Sequence, residues 1–330
     1  MRCVSLRWAL AAGVLFALVC SCPAPLIYRP GEGWIYESVG GEQWARTRAK
    51  DQLDVAEKAF TKPDYRLALR AARRVVSRWP FSDYAPRAQY LAGRSYEAQK
   101  RDEKAFKAYQ QLVEKYPKEV DYQEVLRRQF EIANRFLGGQ RFRIFYGHIP
   151  FFSSMEKTVQ LYESILKMGP FSEVGPQAQM NIGQARLKQK KYPKAVEAFE
   201  QAADRYHDQR KVAADALYQA GLAHTQQAKA AEYDQSAAGR AIATFTDFKA
   251  LYPEDPRTEE TDQQVQSLKL EQARGSLEIA RFYERRKRWS GALIYYSDVV
   301  QKAPDSSYAA EARQRLEALK AHPKGLVAAR

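Results

Sequence analysis

The sequence predicts an all-α protein, a superhelical solenoid of about six helix pairs closed by a C-terminal capping helix. Three observations predict it. From Ala45 onward the apolar residues recur at helical spacing, and strand-like alternation is nearly absent. An Ala stands twelve residues before a Pro again and again, as Ala68 with Pro80, Ala105 with Pro117, Ala241 with Pro253 and Ala292 with Pro304. A small residue lies a further twelve positions upstream at Ala56, Gly93 and Ala280. Self-similarity at such a period marks a repeat architecture, in which each unit buries its apolar face against its neighbours. A chain of 330 residues, 45% hydrophobic and 28% charged, has enough apolar side chains for that core.

The first element is a leader. Arg2 and Arg7 precede an apolar run from Trp8 to Val19, too short to span a bilayer as a stable helix, and small residues follow. All the cysteines, Cys3, Cys20 and Cys22, fall in the first 22 residues. The tetrad Val19-Cys20-Ser21-Cys22 resembles the bacterial lipobox, with an aliphatic residue three before the modified cysteine and a small one directly before it. Cys20 fits less well, because bulky Val19 precedes it. Residues 1–21 are therefore expected to be a lipoprotein signal peptide, with palmitate-type acyl chains attached at Cys22 and no other cofactor. The alternative, an ordinary secretory signal, strands a free thiol in an oxidising compartment. Residues 22–46 are read as a lipidated tether, stiffened by Pro23, Pro25 and Pro30 and interrupted by glycines. Trp34, Ile35 and Tyr36 within it dock either on the folded body or at a membrane interface.

The solenoid is placed at 47–322, before a flexible tail at 323–330. Small residues let the two helices of a pair approach closely, the aromatics Tyr109, Phe245 and Tyr296 fill the gap, and Pro ends the second helix. This is the tetratricopeptide pattern. Pairs one and two centre on Ala56/Ala68 and Gly93/Ala105. The third is split: Ala133 and Phe136 belong to its first helix, Tyr162, Ile165 and Pro170 to its second, and an aromatic insertion at 138–153 lies between. The fourth carries Gly183, Ala195, Phe199 and Ala202 in phase, with His207 replacing the terminal Pro. The fifth is lengthened, Gly221 standing twenty residues before Ala241. The sixth centres on Ala280/Ala292, and Ser306–Lys320 presents one apolar side, as a terminal cap should.

The formal net charge of +14 favours acidic partners or anionic headgroups, and export makes nucleic acid the least suited of the basic protein's partners. The four histidines, His148, His207, His224 and His322, are isolated, so no metal site is expected. No phosphate loop, nucleophile elbow or metalloprotease helix occurs, so neither catalysis nor a small-molecule substrate is expected. Two segments are candidates for binding protein partners. The insertion concentrates Arg141, Arg143, Phe145, Tyr146, Phe151 and Phe152, residue types favoured at hot spots, although such rings also serve to fill space between lengthened helices. The turn ARFYERRKRWSG crowds Arg281, Arg285, Arg286 and Arg288, as a salt-sensitive docking surface or as solvated charge.

A lipobox followed by tetratricopeptide pairs resembles the BamD family, the lipoprotein subunit of the outer-membrane β-barrel assembly machinery. Residues 78–117 are similar to the family's YPxSxYxxxAQ segment and its second repeat. Residues 241–260 and 277–312 are similar to its final two repeats, with their FY-x3-K/R-x-W/Y and A-x-P-D-S features. One departure stands out, six pairs rather than the family's five; Pro23 is not the Asp that, by family analogy, retains some lipoproteins in the inner membrane, which permits outer-membrane residence. The resemblance implies a non-enzymatic adaptor of the outer membrane, lipid-anchored and facing the periplasm. It would dock on the barrel subunit's POTRA domains through its last repeats and receive unfolded outer-membrane proteins at its first. For a client groove in the first two repeats, the plausible lining residues are Arg66, Arg70, Arg73, Arg87, Tyr90, Arg94 and Lys107, some of which must face away. A cell-envelope scaffold that organises peptidoglycan or secretion machinery is the alternative.

Overall fold

The computed structural model describes residues 44–142, 154–230 and 235–321 in full, and the backbone of residues 26–29, 33–36, 143–144 and 149–152. The chain divides into two units, residues 1–120 and 121–330. Cys22 lies outside the described residues.

The first unit opens with an antiparallel hairpin, β1 (Leu26–Arg29) and β2 (Gly33–Tyr36), in register Leu26↔Tyr36 to Arg29↔Gly33. The stretch read as a Pro/Gly-rich tether thus carries a short hairpin. Leu-Ile-Tyr and Trp-Ile-Tyr are strand-favouring triplets on either side of a Pro-Gly pair, too short to register as a periodic pattern. Two helix pairs follow: α1 (Ala49–Thr61) with α2 (Tyr65–Arg78), and α3 (Ala85–Ala98) with α4 (Asp102–Lys115). Asp64 caps α2 by accepting the Leu67 amide hydrogen at 3.0 Å. Ala56, Ala71, Ala72, Val75, Ala88 and Ala92 form the buried seam of α1, α2 and α3.

Why Gly93 must be glycine is visible in α3. A Cβ there would lie 2.4 Å from the ring of Tyr109, which fills the gap between α3 and α4 and is fully buried. The Tyr109 hydroxyl donates to Glu97 at 2.6 Å, which satisfies the one polar atom that this burial would strand.

The second unit holds four further pairs and the cap. In the first of them, α5 (Tyr122–Leu137) and α6 (Met155–Met168) flank the insertion. The insertion forms a hairpin, β3 (Phe142–Ile144) with β4 (Ile149–Phe152), whose register is irregular at Phe142/Arg143. The two helices still pair as one repeat. Tyr162 of α6 is buried and donates to Asn134 of α5 at 2.6 Å, and Asn181 of the next helix donates to the same oxygen at 2.8 Å.

The next pair, α7 (Gly175–Lys188) and α8 (Tyr192–Arg205), repeats the glycine–ring contact, a Cβ at Gly183 falling 2.4 Å from Phe199. Although His207 replaces the usual Pro, α8 still stops, and the Tyr206 hydroxyl just past its end is tied to the Pro170 carbonyl at 2.7 Å. Then come α9 (Arg210–Ala230) with α10 (Gln235–Leu251), α11 (Thr258–Arg285) with α12 (Trp289–Lys302), and the cap α13 (Ser307–Ala321). Of α13 only Ala309 and Ala312 are buried, as a one-sided cap requires.

The 28-residue α11 is longer than the repeat demands. Leu268 in its first half joins the core of Tyr218, Phe245 and Phe248, while Ala273, Leu277 and Ala280 in its second half join that of Tyr296 and Val299. One helix thus serves two successive cores. Among the described residues no helix is long and apolar enough to cross a membrane.

Candidate partner-binding surfaces

The basic turn near the C-terminus is built by the backbone. At the end of α11 the Arg286, Lys287 and Arg288 amides donate to Phe282, Glu284 and Tyr283 carbonyls at 3.2, 2.8 and 2.9 Å, and Lys287 takes the left-handed conformation with φ 57°. The chain reverses so sharply that Arg285, Arg286, Lys287 and Arg288 all remain exposed. Lys100 and Lys190 occupy the same left-handed position in two earlier repeats, with φ 55° and 58°.

Beside this turn lies a cleft of about 530 Å³, lined by Arg281, Glu284, Arg285, Lys287, Trp289, Tyr296, Glu311 and Arg315. Its carboxylates are engaged by the far wall. Arg281 grips Glu311 with two bonds of 2.6 Å and one of 2.9 Å, and Arg315 of α13 donates to Glu284, which also accepts from the Tyr296 hydroxyl. The Glu311 carboxylate holds the Arg281 guanidinium more firmly protonated than usual, and burial pushes the Tyr296 phenol upward. Four cations against two carboxylates leave the cleft net positive, with Trp289 as an aromatic wall. Such a site is suited to a carboxylate-bearing segment of a partner protein. Arg286, outside it, packs its guanidinium 4.9 Å from the Phe282 ring centroid, so that ring is partly shielded rather than bare.

The client-groove candidates separate onto two faces. Arg87, Tyr90 and Arg94 of α3 gather against α1: Arg87 pairs with Glu57 at 2.6 Å, and the Arg94 guanidinium lies 5.5 Å from Phe60 and 6.0 Å from Tyr90. Rings alternating with cations on the first helices of two adjacent repeats suit an extended segment that carries aromatic and acidic groups. Arg66, Arg70 and Arg73 lie on α2 and Lys107 on α4, the second helices; Arg70 stacks on Trp44 at 4.8 Å. Helical phase carries this distinction, because 66, 70 and 73 lie opposite the buried Ala68, Ala72 and Val75.

Of the insertion, Arg141 is exposed. Phe145 and Tyr146, and the side chains of Arg143, Phe151 and Phe152, lie outside the described residues. Phe142, by contrast, fills space: it is buried, stacks on Phe136 at 4.1 Å and carries Lys157 over its other side at 5.2 Å. Excising residues 140–152 would therefore disturb the α5–α6 core as well as any docking loop.

These features define a tetratricopeptide-type binding scaffold, with cationic and aromatic side chains presented on stacked helix pairs. A family model described as outer membrane lipoprotein, YfiO, matches residues 152–319, just over half of the chain, and a tetratricopeptide model matches residues 87–119. The chain belongs to the YfiO family of outer membrane lipoproteins. No curated protein sequence matches it. Solved structures similar to it include the C-terminal part of a repeat-containing protein from Cytophaga hutchinsonii, at 14% identity over 80% of this chain and 87% of that one, TM-score 0.37. Two others are PilW, a type IV pilus biogenesis factor (14%, 84% and 100%, TM-score 0.28), and the TPR2AB domain of yeast Sti1 in its complex with pHSP90 (14%, 82% and 98%, TM-score 0.33). Superpositions this loose bear on neither partner nor function.

Proposed function

We propose that this protein is a BamD-like adaptor without enzymatic activity, anchored by lipid at Cys22 in the outer membrane and facing the periplasm. It binds a POTRA-bearing barrel-assembly subunit through the cationic cleft of its last repeats. Unfolded outer-membrane proteins bind at the ring-and-arginine face of α1 and α3. The observation that carries this reading is the family match across residues 152–319, which includes every residue lining the cleft. The electrostatics support it: a net-positive rim speeds and orients the approach of an acidic partner and makes the association salt-sensitive.

Affinity isolation of the full chain from detergent-solubilised envelopes tests the proposal. The POTRA-bearing subunit should be recovered with the parent, and recovery should drop about tenfold with Arg285→Glu/Arg286→Glu, a loss typical of one or two reversed interfacial charges. Replacing residues 1–22 with an ordinary cleavable secretory signal should release the protein from the membrane without changing its melting. Recovery of cell-wall synthases or a secretin pore in place of the barrel subunit would reject the adaptor role.

A further inference from the structure

Neither binding surface above uses the hairpin of β1 and β2. We propose that it is a second, non-covalent membrane anchor, seated in the headgroup layer of the phospholipid bilayer that takes the acyl chains of Cys22; the proposal rests on that reading of Cys22. Strand register carries it. Directly opposed residues of an antiparallel pair lie on the same face, and so do residues two apart along a strand. The pairs Leu26↔Tyr36 and Tyr28↔Trp34 therefore put Leu26, Tyr28, Trp34 and Tyr36 on one face, and Ile27↔Ile35 and Arg29↔Gly33 put the remaining four residues on the other. The first face holds three aromatic residues, a leucine and no charge. A lone two-stranded hairpin is marginal in water and holds together when a surface covers its apolar face. Tyr and Trp are residue types that favour a membrane–water interface, where an apolar ring and its polar tip are both satisfied.

Chain length selects the bilayer as that surface. Leu26 follows Cys22 by four residues, which span about 14 Å at full stretch. An acylated Cys22 thus holds the open end of the hairpin beside the headgroups, a layer roughly 5–8 Å deep on each side of the hydrocarbon. The folded body is on a longer leash. Because Tyr36 pairs with Leu26, the chain leaves the hairpin at the end where it entered, and eight residues, about 28 Å at full stretch, lead from there to Trp44. Trp44 itself is fixed to the first repeat: the buried Gln52 of α1 donates to its carbonyl at 3.3 Å and accepts from the Arg46 amide at 2.7 Å, and the Arg70 guanidinium stacks on its ring at 4.8 Å. Of the two surfaces able to cover the aromatic face, the bilayer is the nearer along the chain and the one its residue types suit.

Quenching by brominated lipid tests the seat. The native protein, with its Cys22 modification read by intact mass, is reconstituted in phosphatidylcholine vesicles with and without bromine near the headgroup end of the acyl chains. Emission should fall by about a quarter, since Trp34 is one of the four tryptophans after Cys22. Trp34→Phe should abolish the quenching, and Trp289→Phe should leave it in place. The second arm uses the chain secreted by an ordinary cleavable signal in place of residues 1–22, which carries no acyl group, floated with the same vesicles. Tyr28→Ser/Trp34→Ser/Tyr36→Ser should lower its partitioning on the order of a hundredfold, with circular dichroism and melting unchanged. Absence of quenching, quenching that persists in Trp34→Phe, or a triple variant that floats like its parent would overturn the proposal. So would a triple variant that melts lower without losing vesicle binding, because the aromatic face would then belong to the folded body. The two readings fail separately: an unacylated Cys22 with vesicle binding of the secreted chain removes the covalent anchor and keeps the seat, and an acylated Cys22 without Trp34 quenching does the reverse.

Discussion

Glu156 is a single carboxylate that ties two repeats together. It stands in the first turn of α6, directly after the insertion, and accepts from Arg186 at 2.6 Å, Lys191 at 2.9 Å and Gln189 at 3.3 Å, all from α7 or the turn into α8. The bonds from Arg186 and Lys191 hold its carboxyl down at about 2, against an ordinary 4.5. The folded-state value is the lower one, so the stabilisation is complete above the unfolded-state value and is lost as the pH falls from about 4.5 through 2. Glu156 is itself half exposed, which keeps the effect near that of a surface pair. Glu156→Gln should destabilise by about 1 kcal/mol at neutral pH. Melting temperatures across a pH series check this: the gap between parent and variant should close toward pH 2, and a gap constant with pH would show that the carboxylate's charge is irrelevant.

At the scale of the helix pair, the recurring device is an aromatic ring seated on a glycine. Gly93 receives Tyr109, Gly183 receives Phe199 and Gly221 receives Phe245, and a Cβ at any of the three would lie within about 2.5 Å of a fully buried ring. Gly93→Ala gains about 1 kcal/mol of helix propensity, yet the overpacking it forces costs about 1–3 kcal/mol, more where the ring cannot retreat. Thermal unfolding should show a net loss for Gly93→Ala and Gly183→Ala, whereas Gly239→Ala, with only Gln272 nearby at 3.7 Å, should not lose stability. Because these contacts are local and sit in fixed phase with Ala68, Ala105, Ala195, Ala241 and Ala292, six pairs and a cap were legible from spacing alone. The hairpins were not, since strands of three or four residues carry too short a pattern to separate from loop. Nor was the first half of α11, whose partners Tyr218 and Phe248 come from the preceding repeat. The faces of the α2 and α3 arginines were not separable from periodicity alone, and the cleft was not legible either: Glu284–Arg315 and Arg281–Glu311 join residues 31 and 30 positions apart.

Across the whole molecule, the two tasks proposed here fall on different units: client capture on α1 and α3 of the first, partner docking on the α11–α13 cleft of the second. Residues with no shared contacts and no common core should contribute independently to the free energies of their respective complexes. Arg87→Glu/Arg94→Glu should therefore weaken binding of an aromatic, acidic C-terminal segment of an outer-membrane protein about tenfold while leaving recovery of the POTRA-bearing subunit intact. Arg285→Glu/Arg286→Glu should do the reverse. The combined variant should show both losses at the same size as the singles, because neither set touches a buried seam of its unit. Fluorescence anisotropy with the labelled segment and co-isolation of the subunit measure the two arms on the same protein. Should either pair of substitutions depress both readouts, or should the losses exceed their sum, the surfaces are coupled and the division of labour between units is wrong.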